Sequence, residues 1–153
     1  VLSGKRHATG FETDVIGKLT PRWEVYGSYT WIWDAEIDKG AEGAEGRGQR
    51  PSLIPKHQAA LWSTYQVDEK LRIGAGANAR TRMTPNRNPV GLYSDGYITF
   101  DAMAEYEAIQ DKLTLKANLV NLTNKFYADS LYANGHYVPG FGRTVYITGS
   151  LKF

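Results

Sequence analysis

Residues 144–153 alternate without a break, with Val145, Ile147, Gly149, Leu151 and Phe153 on one side and Thr144, Tyr146, Thr148, Ser150 and Lys152 on the other. A period of two is the mark of a β-strand with one apolar face. Residues 23–34 repeat the pattern. There Trp23, Val25, Gly27, Tyr29, Trp31 and Trp33 face one way, and Glu24, Tyr26, Ser28, Thr30, Ile32 and Asp34 the other, with Ile32 the exception. Within residues 71–82, Leu71, Ile73, Ala75, Ala77 and Ala79 alternate with Arg72, Gly74, Gly76, Asn78, Arg80 and Arg82. Helical spacing fits none of these segments. Weaker copies at residues 5–19, 56–67, 96–108 and 113–122 bring the count to seven strands. At roughly 10 to 15 residues each, they are long for a soluble sheet, where about 5 to 6 is usual.

The connections add a second regularity. Short turns at residues 20–22, 68–70 and 110–112 alternate with long connections at 35–55, 83–95 and 123–142. Outer-membrane barrels have short periplasmic turns and long extracellular loops. On that assignment the first strand runs downward and the seventh ends in the periplasm at Phe153. Trp23 and Trp33 share a face; at about 3.3 Å per residue and a tilt near 40°, their heights differ by roughly 25 Å, the height of the apolar band between two aromatic girdles. The expected fold is therefore all-β, an antiparallel up-and-down transmembrane β-barrel segment of seven long strands, or eight if residues 123–142 hold one more. Seven strands leave the first and last parallel, so closure on themselves would need a parallel seam. Trp23, Trp31, Trp33, Tyr65 and Tyr106 are the expected girdle residues, in contact with outer-membrane lipid. A soluble barrel would instead turn the apolar face inward. The polar face carries Glu12, Asp14, Lys18, Glu24, Asp34, Arg72, Arg80, Arg82, Asp101, Glu105, Glu107, Lys116 and Lys152, which suits a wet lumen or a solvent surface equally. The girdles and the loop asymmetry favour the membrane.

Composition removes other classes. A length of 153 residues fits one domain, and 18 Lys and Arg are scattered against 16 Asp and Glu instead of forming a nucleic-acid-binding block. The chain has no cysteine, hence no disulfide framework, thiolate zinc site or thiol nucleophile. No apolar run reaches the 18 or so residues of a membrane-spanning helix. With 10 Tyr, 4 Trp, 5 Phe and 16 Gly, the chain is rich in residues that suit two-faced strands. His7, His57 and His136 lie far apart with no metal-ligand spacing. No motif sets a nucleophile beside a base, so neither an enzyme nor a cofactor is expected. Ile73-Gly-Ala-Gly-Ala-Asn-Ala79 echoes a dinucleotide fingerprint, but no helix follows it. Residues 41–50 read as a solvated loop tip.

Three stretches carry a family resemblance: Asn121-Leu-Thr-Asn-Lys-Phe-Tyr127, Tyr137-Val-Pro-Gly-Phe-Gly-Arg-Thr-Val145 and Ser150-Leu-Lys-Phe153. Together they resemble the end of a TonB-dependent outer-membrane receptor, with the catecholate siderophore branch most similar. Pro55-Lys-His-Gln-Ala-Ala-Leu-Trp-Ser-Thr-Tyr65, Leu71-Arg-Ile-Gly-Ala-Gly76 and Gly10-Phe-Glu-Thr-Asp-Val-Ile-Gly17 resemble strands of the same family. The resemblance implies residence in the bacterial outer membrane and a parent that imports ferric siderophore using energy relayed by TonB through a plug domain. It implies that residues 1–153 are a C-terminal barrel segment in which plug and TonB box are absent. A small outer-membrane barrel with a structural or adhesive role is the alternative.

Ferric catecholates are anionic and aromatic, so a site for one would combine cationic side chains with aromatic faces. Arg80, Arg82 and Arg87 near the top of one strand, and Tyr127, Tyr132, Tyr137 and Phe141 in the loop at 123–142, are the candidate ligand contacts. Headgroup contact for the arginines and loop packing for the aromatics is the competing account. The resemblance also implies that the ending Val145, Ile147, Leu151 and Phe153 is a signal read by the outer-membrane assembly machinery.

Overall fold

A computed structural model describes residues 4–39, 46–85, 91–132 and 136–153. The strands are β1 (Lys5–Thr20), β2 (Trp23–Lys39), β3 (His57–Gln66), β4 (Leu71–Arg80), β5 (Tyr97–Ile109), β6 (Leu113–Val120), β7 (Ala128–Leu131), β8 (Tyr137–Pro139) and β9 (Thr144–Leu151). Seven of them form one antiparallel sheet in the order β1-β2-β3-β4-β5-β6-β9. All seven expected strands are present. The sheet is open, with β1 and β9 at its edges, and the described residues of 123–142 add no eighth strand to it. Instead β7 and β8 pair only with each other. Segments of four and three residues are too short to span the bilayer. β4 ends at Arg80, so Arg82, expected on its polar face, stands beyond the ladder.

The register sorts every wall strand into two faces. Gly27, Leu61, Ala77 and Phe100 lie side by side across β2 to β5, and Ala104, Ala117 and Ile147 continue that face through β6 to β9. One residue along, Tyr26, Trp62, Gly76 and Asp101 line up on the opposite face. The first face is apolar and exposed, Leu61 at 54% and Ile147 at 79%, which is the arrangement of a wall bathed in lipid. The second face carries the charges, and they are paired across strands. Arg72 donates to Glu24 at 3.0 Å and to the Thr64 hydroxyl at 3.1 Å, and Lys18 lies 3.3 Å from the same Glu24. Trp62 lies over the small residues of β4: a Cβ on Gly76 would come within 2.2 Å of its ring and 2.6 Å of the Leu61 carbonyl oxygen.

Aromatic belts mark the two ends of the apolar face. Trp23 pairs with Tyr65 and donates its indole N–H to Ser63 at 2.7 Å, while Tyr106 sits opposite Leu71 at the same end. At the other end Trp31 packs edge-on to Trp33 and stacks on His57, whose Nδ1 is 2.8 Å from the Tyr29 hydroxyl. His57 is thus a belt residue that its polar ring hid from sequence reasoning. Spin labels at Val25, Ile73 and Ile147 in bilayers are expected to be accessible to oxygen and shielded from a water-soluble nickel quencher; the opposite accessibility would reverse the two faces.

Above the upper belt the faces exchange character. Gly10 pairs with Ile32 but Thr9 pairs with Asp34, so Trp33 is an extra residue on β2. This β-bulge shifts the alternation by one. Asp34 therefore points outward, correcting its expected place on the inner polar face, and Glu36 follows it opposite His7. His7 meets Asp38 at 2.9 Å and Asp34 at 3.2 Å on that outer side. Hydrogen bonding to Asp38 holds the His7 pKa above its ordinary value, with Asp34 acting in the same direction. Ala35 and Ile37 now face inward, and Ile37 is only 2% exposed.

Candidate functional site

The long loops at the upper end are tied to one another. Arg50 donates to the carbonyls of Ile32 at 2.8 Å, Ile54 at 3.0 Å and Pro55 at 3.3 Å, which folds the β2–β3 loop back on its own strand. Burial lowers the Arg50 pKa from its ordinary value, and Asp34 opposes that shift. The N–H of Leu53 then bonds the Thr84 carbonyl at 3.0 Å, joining this loop to the β4–β5 loop. Met83 and Ser94 exchange backbone hydrogen bonds and extend the β4–β5 pair upward. Met83 and Leu131 are both buried, so this rim has apolar residues of its own above the membrane belt.

The β6–β9 connection is organised by Asn121. Its backbone is left-handed, with φ at 50°, a conformation asparagine tolerates better than most residues. Its side-chain amide donates at 2.8 Å to the carbonyls of both Lys125 and Phe141, and its side-chain oxygen accepts from the Lys125 N–H at 2.8 Å. The Asn121 N–H bonds Asp101 of β5 at 2.8 Å, and the residue is 1% exposed. Asn124, also left-handed, accepts from the Arg143 N–H at 2.9 Å. Both ends of the connection are thereby fixed to the wall.

Between those ends the sequence-derived candidates separate. Arg80 points inward, as its parity on β4 requires, and its guanidinium sits 4.9 Å from the Tyr97 ring centroid. Its terminal nitrogens contact the Met83 sulfur and the Ala128 carbonyl oxygen. Its Nε is buried without an acceptor, and the guanidinium meets no carboxylate among the described residues. Tyr127 packs 4.2 Å from Tyr97, centroid to centroid, and against Gly140, where an added Cβ would come within 2.0 Å of its ring. Burial pushes the Tyr127 pKa up, with Tyr97, Asp129 and Asp101 adding to the shift and a hydrogen bond to the Phe141 backbone reducing it. Arg82 lies over the exposed Tyr93 ring at 5.4 Å. Tyr137 packs edge-on to Phe126 with centroids 6.1 Å apart. Tyr132 and Phe141 are exposed, and Arg87 lies outside the described residues.

Two clefts result, and Tyr127 lines both. The inward one, of about 320 Å³, is polar and includes Asn78, Arg80, Tyr97, Asp101 and Asp129. The other, of about 370 Å³, lies between the β4–β5 and β6–β9 loops and includes Tyr93, Lys125, Phe126 and Tyr137. The structure thus gathers Arg80 and Tyr127 at one cleft and Tyr127 and Tyr137 at the other, whereas Tyr132 and Phe141 line neither. Tyr97, Tyr93 and Asp101 were missed from sequence. Only strand parity, which turns Tyr97 and Asp101 inward with Arg80, could have shown two of them.

Known proteins share this fold. A family profile described as TonB dependent receptor-like, beta-barrel, matches residues 1–122. The probable TonB-dependent receptor BfrD of Bordetella pertussis is 34% identical over 99% of this chain and 21% of its own length. The catecholate siderophore receptor Fiu of Escherichia coli K12 is 32% identical over 98% of this chain and 20% of its own. The crystal structure of Fiu in its closed form superposes with a TM-score of 0.86 at 32% identity, covering 98% of this chain and 21% of that one. The siderophore receptor PiuA from Acinetobacter baumannii superposes with a TM-score of 0.85 at 27% identity, covering 95% and 22%. The chain spans about a fifth of the length of the curated relatives it matches. Strand order and the exposed apolar face agree with these relatives, the sheet lies in the bacterial outer membrane, and the chain belongs to the TonB-dependent receptor-like β-barrel family.

Proposed function

We propose that the chain is a C-terminal portion of the barrel wall and extracellular loops of a receptor that imports ferric siderophore, with TonB and a plug domain acting in the full-length protein. The observation that carries this reading is the cationic and aromatic rim: Arg80 against Tyr97 and Arg82 against Tyr93, at the end of the wall where the long loops meet. An anionic aromatic complex is attracted by the charges and can lie against the rings. Tyr127, Tyr137, Tyr132, Phe141 and Arg87 complete the proposed contact set. The iron complex is cargo, and the chain's own residues bind it without any bond being made or broken. Replacing both Arg80 and Arg82 by Gln in the full-length receptor should lower uptake of an iron-55-labelled catecholate complex about tenfold, the scale of one lost charged contact, and should flatten its dependence on salt. Unchanged uptake at both low and high ionic strength would remove the arginines from the site.

The outward row Val145, Ile147, Leu151 and Phe153 on and beyond β9, at a sheet edge, is proposed as the surface the assembly machinery pairs with. Phe153 extends past the last ladder pair and is fully exposed. Deleting it should cut the amount of receptor inserted in cells far more than it lowers the stability of receptor refolded in detergent. Equal losses in the two assays would point to packing alone.

A further inference from the structure

We propose that Arg80 is a latch for which the ligand competes: its guanidinium holds the β7–β8 hairpin against the wall through the Ala128 carbonyl, and an anion that captures the guanidinium lets the hairpin move. This deepens the transport reading and rests on it. The fork of the guanidinium is only partly filled. Its acceptors are a neutral carbonyl and a thioether, and its buried Nε has no acceptor. Hydrogen bonds from a guanidinium to a charged oxygen are roughly twice as strong as those to neutral acceptors, and a pair of such oxygens can occupy Nε and Nη together. An anionic ligand in the inward cleft therefore outcompetes the Ala128 carbonyl for the same donors.

The hairpin is built so that this one exchange matters. β7 and β8 share no ladder with the seven-stranded wall. Outside the pair, β7 is held at its start by Arg80 and by the neighbouring Tyr127, which lies between Tyr97 and Gly140, and at its end by the buried Leu131. The chain on either side is clamped by Asn121, through the Lys125 and Phe141 carbonyls, and the Gly140 N–H bonds the Tyr127 carbonyl at 2.9 Å. Among the described residues, movement is thus confined to 128–132 and 136–139. Two carboxylates line the cleft beside Arg80. Asp101 is held by Asn78 and by the Asn121 N–H, but Asp129 sits on β7 and leaves with it. Release of the hairpin therefore also removes a negative charge from the path of an anion.

The test uses the full-length receptor with Ser130→Cys on β7, a near-isosteric change at a half-buried position; residues 1–153 have no cysteine of their own, and any elsewhere in the receptor is replaced by serine first. Maleimide labelling is timed with and without the ferric complex of 2,3-dihydroxybenzoate, whose binding to the same preparation is measured in parallel. Bound complex should speed labelling about tenfold, the factor expected when one charged hydrogen bond stops holding the closed arrangement. Arg80→Gln should label fast with or without the complex, and Lys56→Gln, an equal loss of charge on a neighbouring loop, should behave as the parent does. A ligand-dependent rate in the parent separates a latch from simple packing, since packing alone gives no response to the complex. The latch is wrong if bound complex leaves the rate unchanged, or if Arg80→Gln labels as slowly as the parent. Failure of the complex to bind the unaltered receptor would instead defeat the transport reading and the competition with it, while the comparison of Arg80→Gln without ligand still decides the latch.

Discussion

Asn121→Ala is expected to destabilise the refolded receptor by about 3 to 5 kcal/mol, from buried groups left unpaired at roughly 1 to 3 kcal/mol each together with a left-handed backbone that alanine adopts poorly. The groups concerned are the Lys125 N–H and the carbonyls of Lys125 and Phe141, all of which bond the Asn121 side chain at 2.8 Å. At 1% exposure water cannot replace that amide without opening the connection. Urea unfolding in detergent supplies the measurement, and Asn121→Gly divides the two causes. Glycine accepts the φ of 50° but restores no hydrogen bond, so it should recover only the backbone share, about 1 kcal/mol. A loss below about 1 kcal/mol for Asn121→Ala would show that the connection finds other partners.

The next largest effect concerns the apolar face. Leu61 pairs with Gly27, which lies midway between Trp23 and Trp31 on β2, so Leu61 sits near the middle of the bilayer. Arginine on the lipid face at that depth costs about 2 to 4 kcal/mol, and the cost falls toward the interfaces. Leu61→Arg should therefore be severely destabilising, while Ala60→Arg, one residue away and facing the polar interior, should cost about 1 kcal/mol or less by the same assay. If Ala60→Arg proves the more damaging of the two, the wall is inside out.

How much of this could be read from sequence depended on the range of the interaction. Alternation is local, and it yielded all seven wall strands and the facing of Leu71, Ile73, Val145 and Ile147. The inward direction of Arg80 followed from the same parity, but its contact with Ala128 crosses 48 positions of sequence and leaves no pattern in it. β7 and β8 are too short for a period of two to declare itself. The Asn121 cluster was visible only as part of a family resemblance, because its action lies in a backbone angle and a partner, Phe141, 20 positions away. Trp33 misled for another reason: as an apolar residue it continues the alternation it interrupts, and only the buried Ala35 and Ile37 beyond it betray the shift.

That bulge has a consequence for how the strand can change length. Below it the wall is organised for oil outside and water within; above it the same strand is organised like an ordinary soluble sheet, with Ile37 sheltered and Asp34 in solvent. One unpaired residue separates the two regimes, and the side-chain period is two. Insertions or deletions of an even number within β2 preserve the boundary and merely raise or lower it, whereas an odd change on either side would expose Ala35 and Ile37 or drive Glu24 and its partners into hydrocarbon. Related barrels that differ in strand length here should differ by pairs of residues, or should carry a compensating bulge on the neighbouring strand.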